Sequence, residues 1–181
     1  MPPLARGIVE RPLGETDLDR VWAIDRGEQI DGLYTVVQGR LQRGTRNIQV
    51  PGWPPGEREA YAPLLRACWQ RGGWCRGLFA ADRLVAAAFV DTVWRGRRQD
   101  QLQLEFLHVD RAHRGRGLGR HLFTGAAAAA RARGAHQLYV SATPSLHTVD
   151  FYLAAGCRLA REPDPELFAL EPADIHLIFG L

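Results

Sequence analysis

The stretch "HVDRAHRGRGLGRHLF", residues 108–123, sets four arginines and three glycines between one apolar run and the next. It closes "QLQLEFLHV", in which Leu102, Leu104 and Phe106 alternate with Gln103, Glu105 and Leu107 as in a strand. It opens a helix from near Gly117 to Arg133, where Ala126 to Ala130 supply helix propensity and Gly134 the stop. A strand passing into a helix through such a turn aims free backbone N–H groups and the positive dipole end at one point. Gly115, Gly117 and Gly119 remove side chains that would hold an anion off the backbone. Arg114, Arg116 and Arg120 add charge around it. The group such a loop binds is a phosphate or pyrophosphate.

Two well-known phosphate loops are excluded. A G-x-x-x-x-G-K-S/T loop needs lysine, and the chain has none; a G-x-G-x-x-G loop needs glycine where Arg120 stands. What fits without a gap is Arg114-x-x-Gly117-x-Gly119. This resembles the Q/R-x-x-G-x-G/A signature of the GNAT superfamily of N-acetyltransferases, in which the loop grips the pyrophosphate of coenzyme A. Further on, that family often carries N-x-x-A-x-x-x-Y-x-x-x-G-F. Here it reads Ser145-x-x-Thr148-x-x-x-Tyr152-x-x-x-Gly156-Cys157, with the tyrosine and glycine kept and the asparagine, alanine and phenylalanine replaced. The resemblance reaches motif level over residues 76–157; the first 75 residues match loosely.

The rest of the chain is consistent with one domain over residues 1–181, large enough to bury a core. No apolar run nears the roughly 20 residues of a membrane span, and the start, "MPPLARGIVERPL", lacks a secretory h-region. A cytoplasmic location is expected. Cys68, Cys75 and Cys157 are odd in number and unpaired in spacing, which argues against a disulfide framework or zinc site. His121, His136, His147 and His176 share no ligand spacing, so no metal is expected. All 23 basic side chains are arginine, a bias that codon usage in a GC-rich genome accounts for. They are spread along the chain without aromatic stacking positions or a helix-turn-helix spacing, which argues against nucleic acid.

Along the chain, "ARGIVERPL" reads as a strand, and Thr16 caps a helix through Leu18, Val21 and Trp22. Residues 27–57 are mixed, with "VPGWPPG" marking a loop near 51–56; "EREAYAPLLRACWQRG" is a helix. "CRGLFAADRLVAAAFVDTV" is two strands turning at Asp82–Arg83, and "HQLYVSA" is another strand. "PSLHTVDFYLAAG" is a helix with Pro144 at its first position, and the tail adds one or two strands ending with "IHLIFGL". The order β-α-α-β-β-β-α-β-α-β-β gives an α/β domain with a mixed sheet; the resemblance makes that sheet mostly antiparallel and GNAT-like.

The resemblance implies an acyltransferase that moves an acetyl group from acetyl-CoA, its cosubstrate, to a primary amine by direct attack. Cofactor contacts would come from the backbone of Leu107, His108 and Val109, from Arg114, Gly115, Arg116, Gly117, Leu118, Gly119 and Arg120, and from Ser145. Tyr152 would protonate the departing sulfur. Glu105 would take the ammonium proton, directly or through water; a solvated or ion-paired glutamate is the other reading. The His108 side chain, by alternation, belongs with Leu104 and Phe106 on the core side. A binding module that senses coenzyme A without turnover is the alternative function.

The acceptor partner is expected to be a small-molecule or peptidyl cationic amine. Glu162, Asp164, Glu166, Glu171 and Asp174 crowd the tail, and Asp25, Glu28 and Asp31 border the same side from the first helix. An acidic rim concentrates cations; a solvated loop kept extended by Pro163, Pro165 and Pro172 is the competing reading. Neither a nucleic acid nor a membrane is expected as a partner, and a homodimer is left open.

Overall fold

The apolar strands assemble one sheet of seven, with helices on both faces. The computed structural model describes residue 4 and residues 6–181. Strand β1 is Ile8–Pro12, followed by a 3₁₀ helix, Glu15–Ala23. Strands β2, Glu28–Val37, and β3, Arg40–Val50, form a separate hairpin, and α1 is Glu57–Gln70. Then come β4, Trp74–Ala80, β5, Arg83–Arg95, β6, Gln101–Val109, and a 3₁₀ turn, Arg111–His113. The chain finishes with α2, Leu118–Ala132, β7, Gln137–Ala142, α3, Leu146–Ala154, β8, Arg158–Leu159, α4, Pro165–Leu170, and β9, Ile175–Gly180.

The main sheet runs β1-β4-β5-β6-β7-β9-β8. Among the described residues only β6 and β7 are parallel, and α2 makes the crossover that a parallel pair requires. The fold is therefore the α/β domain with a mixed, mostly antiparallel sheet that the sequence predicts.

Two apolar layers sandwich the sheet. Ala86, Ala88 and Val90 of β5 join the cluster of Leu118, Leu122, Ala126 and Ala130 from α2 and Val149 and Tyr152 from α3. Ala87 and Phe89 join Leu65 and Cys68 of α1 and Leu18 and Val21 of the 3₁₀ helix on the other face. Small side chains on both α2 and β5 let the helix lie close to the sheet, so the layer is tight.

Several local expectations are corrected. The first helix is 3₁₀, and Thr16 does not cap it: Asp17 accepts the Gly14 N–H at 3.0 Å, closing the turn one residue pair earlier. Arg11 and Arg20 clamp the same buried carboxylate, and the Arg11 hydrogen bond foremost holds its pKa down to about 2. Residues 27–57 are not merely mixed. They hold a hairpin turning at Gln38 and Gly39, both at positive φ, as a two-residue turn between twisted strands requires. Nearly every residue of β3 is exposed, so no alternation announced it. Glu28 and Asp31 lie on β2 rather than on the first helix. Pro144 precedes helix α3, whose N-cap is Ser145. Finally, the proline-rich tail is not extended: Asp164 caps α4 through the Glu166 and Leu167 N–H groups, with Pro165 at its first position.

The tightness of the α2 layer gives a direct test. Ala126 is fully buried, so Ala126→Leu should destabilise the protein by about 1–3 kcal/mol through overpacking. Urea unfolding should show a lower midpoint with an unchanged slope; a neutral effect would mean that the layer has slack.

Candidate active site

The site begins with a fault in the register of β6. Phe89 pairs with Phe106 and Val90 with Leu104, so Glu105 is an extra residue that β5 cannot match. A bulge of this kind bends the strand and increases its twist. It also shifts the side-chain alternation by one. Leu102 and Leu104 pack under α2, as do Leu107 and Val109 beyond the bulge, whereas Phe106 joins the cluster under α1. The uniform alternation expected from the sequence is therefore wrong. Phe106 does not share a face with Leu104, Leu107 does not share one with Glu105, and His108 goes with Phe106 alone.

Past the bulge, β6 and β7 part. They pair from Gln101–Gln137 to Leu104–Val140 and no further. Beyond that point β6 holds only to β5, while Ser141 and Ala142 of β7 hold only to β9. The opening is a cavity of about 380 Å³ lined by Leu104 to Val109 on one side and Ser141 to Thr143 on the other. Gly115, Gly117, Leu118, Gly119 and Arg120 close one end, and Thr148, Phe151 and Tyr152 of α3 close the flank.

The glycine loop is held from behind. Buried Asp110 accepts N–H bonds from Ala112 at 3.1 Å and Asp25 at 3.2 Å, and pairs with Arg83 and His113. Burial works to raise its pKa, but these four partners outweigh it and keep the carboxylate ionised. Arg114 turns inward, donating to the carbonyls of Val109 at 3.1 Å and Gly27 at 3.0 Å. It shapes the loop as much as it charges it. Arg116 is exposed and outside the wall of the cavity, so of the three loop arginines Arg114 and Arg120 face it. Gly115 and Gly117 have φ of +73° and +79°, and a Cβ on either would project into open space. That left-handed backbone and that open space are what an anion seated on N–H groups needs, and the first N–H groups of α2 have no intrahelical acceptor.

Tyr152 is buried between Phe123 and Phe151, with ring centroids 5.8 and 5.0 Å away. Burial, then the neighbouring Cys157 and Asp174, raise its pKa above the usual phenol, so it stays protonated. Ser145 is not in the cavity wall. Its hydroxyl donates to Glu28 at 3.1 Å and accepts the Thr148 N–H, capping α3 and tying it to β2. His108 packs on Phe106 and Trp53, with centroids 4.6 and 4.9 Å away. Burial first, then Arg26 and Arg114, push its pKa down to about 3, so it is neutral.

A second cavity, about 300 Å³, adjoins the first on the α1 side. Arg26, Glu105, Phe106, His108, Ser141 and Thr143 line both. Trp22, Leu64, Leu167 and Leu170 give it apolar walls, and Glu57, Glu166, Glu171 and Asp174 its charge. Glu57 pairs with Arg26, and Glu166 with Arg95 at 3.3 Å. Glu171 and Asp174 instead accept from neutral hydroxyls, Tyr61 at 2.6 Å and Ser141 at 3.0 Å. Burial pushes the Asp174 pKa up to about 6, opposed by Ser141 and reinforced by Glu171 and Glu57. Among the acids expected around the acceptor, Glu162 pairs with Arg97 at the surface, and Asp164 caps α4 and pairs with Arg95. Neither they nor Asp25 and Asp31 line the cavity, whereas Glu28 lines the first one. Arg26, Glu57, Tyr61 and Trp53 carry no motif or spacing that marks them, because their positions depend on how α1 and the loop before it fold back on the sheet.

Residues 43–157 match the acetyltransferase (GNAT) family. The chain belongs to that family. Its solved structural neighbours include a nourseothricin acetyltransferase, 18% identical, with 96% of this chain and 98% of that one aligned at a TM-score of 0.72. The PaiA N-acetyltransferase of Thermoplasma acidophilum, in complex with coenzyme A, aligns over 96% and 99% at 13% identity and a TM-score of 0.63. The ribosomal-protein-S18-alanine N-acetyltransferase of Escherichia coli aligns over 94% and 90% at 15% identity and 0.57. At these identities the likeness is one of fold. No curated protein matches the chain in sequence. As a GNAT acetyltransferase it uses acetyl-CoA, and the splayed strands and open glycine loop fit the pantetheine and pyrophosphate of that cosubstrate. Among the described residues, no helix is long and apolar enough to cross a membrane.

The loop's fit to an anion predicts the behaviour of Gly117→Asp. A carboxylate would enter the space above the loop and oppose the pyrophosphate, while aspartate tolerates left-handed backbone better than most residues. Titration calorimetry should find coenzyme A binding abolished and the melting temperature close to wild type. Unchanged affinity would refute the loop's role.

Proposed function

We propose that this enzyme transfers the acetyl group of acetyl-CoA to a primary amine, small or peptidyl and positively charged, by direct attack. The observation that carries the reading is the junction of the two cavities at Glu105, where the phosphate-loop side meets the acidic side. Acetyl-CoA supplies an acyl carbon activated as a thioester. The chain's own residues supply proton transfers and orientation.

An alkylammonium has a pKa of about 10 and must lose its proton before it can attack. Glu105 is the base. Burial first and Asp91 second push its pKa up to about 7, which makes it a far stronger proton acceptor than an ordinary carboxylate. As the nitrogen–carbon bond forms and the carbon–sulfur bond breaks, the Tyr152 hydroxyl gives its proton to the sulfur. The acylated nitrogen sheds its second proton through water to the Tyr152 oxygen, and solvent takes the proton from Glu105, which restores both groups. The unpaired edge of β6 after the bulge supports Leu107, His108 and Val109 as backbone partners of pantetheine and thioester, which would lie like an added strand. The three cysteines are buried and line neither cavity, which favours direct attack over an acyl-enzyme.

Glu171 and Asp174, balanced by hydroxyls rather than by cations, support a charged acceptor. The neighbours named for nourseothricin and for an alanine of a ribosomal protein are consistent with either a small or a peptidyl amine.

The test is an acetylation screen over amino acids, polyamines, aminoglycosides and peptide N-termini, read by thiol release at low and high salt. Cationic amines should lead, with kcat/KM falling as salt rises; a clear preference for anionic or neutral acceptors would defeat the acidic-cavity reading. Tyr152→Phe should lower kcat roughly 10²-fold or more, the range of general-acid catalysis, with coenzyme A affinity little changed. A kcat near wild type would leave Tyr152 a packing residue.

A further inference from the structure

Behind Glu105 lies a group of side chains that the acyl transfer does not itself use. An oxygen of Asp91 on β5, an oxygen of Glu105 and Sγ of Cys68 on α1 lie within 4.8 Å of one another. Asp91 is 3% exposed. Its Oδ1 accepts from Arg71 Nε at 3.2 Å and from the Thr92 N–H at 2.7 Å, and its Oδ2 accepts from Arg71 Nη2 at 2.7 Å. Glu105 Oε2, by contrast, is buried and has no hydrogen-bond partner. The Cys68 thiol donates to the Val90 carbonyl at 3.6 Å, and its weaker interaction with Glu105 favours the ionised acid only slightly. A metal ion is not required to balance this cluster, because the guanidinium already sits bidentate on Asp91.

Two carboxylates this close in an interior resist ionising together, so a proton shared between them goes to the one less well solvated by donors. Asp91 has three donors from the protein; Glu105 Oε2 has none. We propose that Asp91, fixed as an anion by Arg71, is a positioning residue for the base: its charge holds the proton affinity of Glu105 high enough to accept a proton from an ammonium. The inference rests on the assignment of Glu105 as base.

The other charged or titratable groups around Glu105 are few and distinct. Cys68 faces it from α1, Arg71 from the cap just after α1, and Arg95 from β5. His108 of β6, Arg26, and Glu57 and Tyr61 of α1 line the cavity beside it, with Glu166 of α4, and Glu171 and Asp174 after it. The side-chain interaction with Cys75 first, and burial second, hold the Cys68 thiol protonated, and His108 is held neutral. Asp91 and Arg71 are therefore the fixed charges on the closed side of the base, and their effects on it are opposite in sign.

That opposition supplies the test. In the full-length protein labelled with carboxyl-13C glutamate, the Glu105 signal, assigned by its loss in Glu105→Gln, is titrated against pH. Asp91→Asn should move its midpoint down by about one unit or more, because a repelling charge is gone and Arg71 is left unneutralised. Arg71→Gln should move it up, and Asp91→Glu should restore the wild-type value. With the leading amine of the acetylation screen, the acid limb of the kcat–pH profile should follow in the same directions. Loss of structure alone would lower kcat without opposite displacements. If Asp91→Asn does not fold, the double variant Asp91→Asn/Arg71→Gln, which removes the ion pair as a unit, carries the test: its midpoint should still fall, because Asp91 acts on Glu105 more strongly than Arg71 does. A midpoint unmoved by either substitution overturns the proposal. A midpoint that moves while the acid limb stays in place overturns instead the assignment of Glu105 as base.

Discussion

The extra residue of β6 opposite Phe89 and Val90 is the constraint on which the site depends. Without it, β6 and β7 would continue their parallel ladder past Leu104–Val140 and the sheet would be closed. With it, backbone groups of Leu107 to Val109 lose a strand partner while remaining fixed by β5 on their other edge. An edge that is rigid and unpaired is suited to an extended ligand. The same bulge turns Glu105 and Phe106 toward α1, so the acid is delivered to the side on which the second cavity lies. One insertion thus opens the slot and turns Glu105 toward the second cavity.

The parts of the site legible in the sequence are those governed by local backbone chemistry. Gly115 and Gly117 announced the loop because only glycine takes positive φ freely. The spacing of Tyr152 and Gly156 has a similar origin. Gly156 ends α3 at φ +102°, its N–H bonding to the Leu153 carbonyl and the Cys157 N–H to that of Tyr152. This is the paired cap of a helix end, so a tyrosine four residues before that glycine is one turn from the stop and faces a fixed direction. What was illegible depends on partners remote in sequence. The bulge leaves a single mark in "QLQLEFLHV", the adjacent apolar pair Phe106 and Leu107 where the alternation slips by one, and a strand nearing its end carries the same mark. The β2–β3 hairpin is exposed along β3, so burial never patterned it. The acidic cavity draws its walls from residues 22 to 174, and charge counts along the tail could not separate Glu171 and Asp174 from Glu162 and Asp164.

The raised proton affinity of Glu105 is held at the expense of stability. Glu105 has a folded-state pKa of about 7 against an ordinary value of 4.5. Below roughly pH 4 the folded and unfolded chains both carry the proton, and the group contributes nothing. As pH rises from there to about 7, the unfolded chain releases its proton and the folded chain keeps it, so stability declines across that interval. Above it the full penalty persists, on the order of 3 kcal/mol. A fold with 5–15 kcal/mol in hand can carry that, and Arg71, by ionising Asp91 rather than Glu105, confines the strain to the group that uses it.

A chain in which every one of 23 basic side chains is arginine also meets its own cosubstrate on unusual terms. A lysine ε-amine regains nucleophilicity when burial lowers its pKa, and beside a bound thioester it would compete with the acceptor. Guanidinium remains protonated throughout the accessible pH range and offers no such nitrogen. Arg26 and Arg95 can therefore line the second cavity, and Arg120 the first, without offering an amine that could take the acetyl group. Whatever genomic bias placed arginine at these positions, the consequence is chemical: the walls of the site hold positive charge where the fold needs it, and among the side chains lining both cavities the enzyme presents no amine of its own.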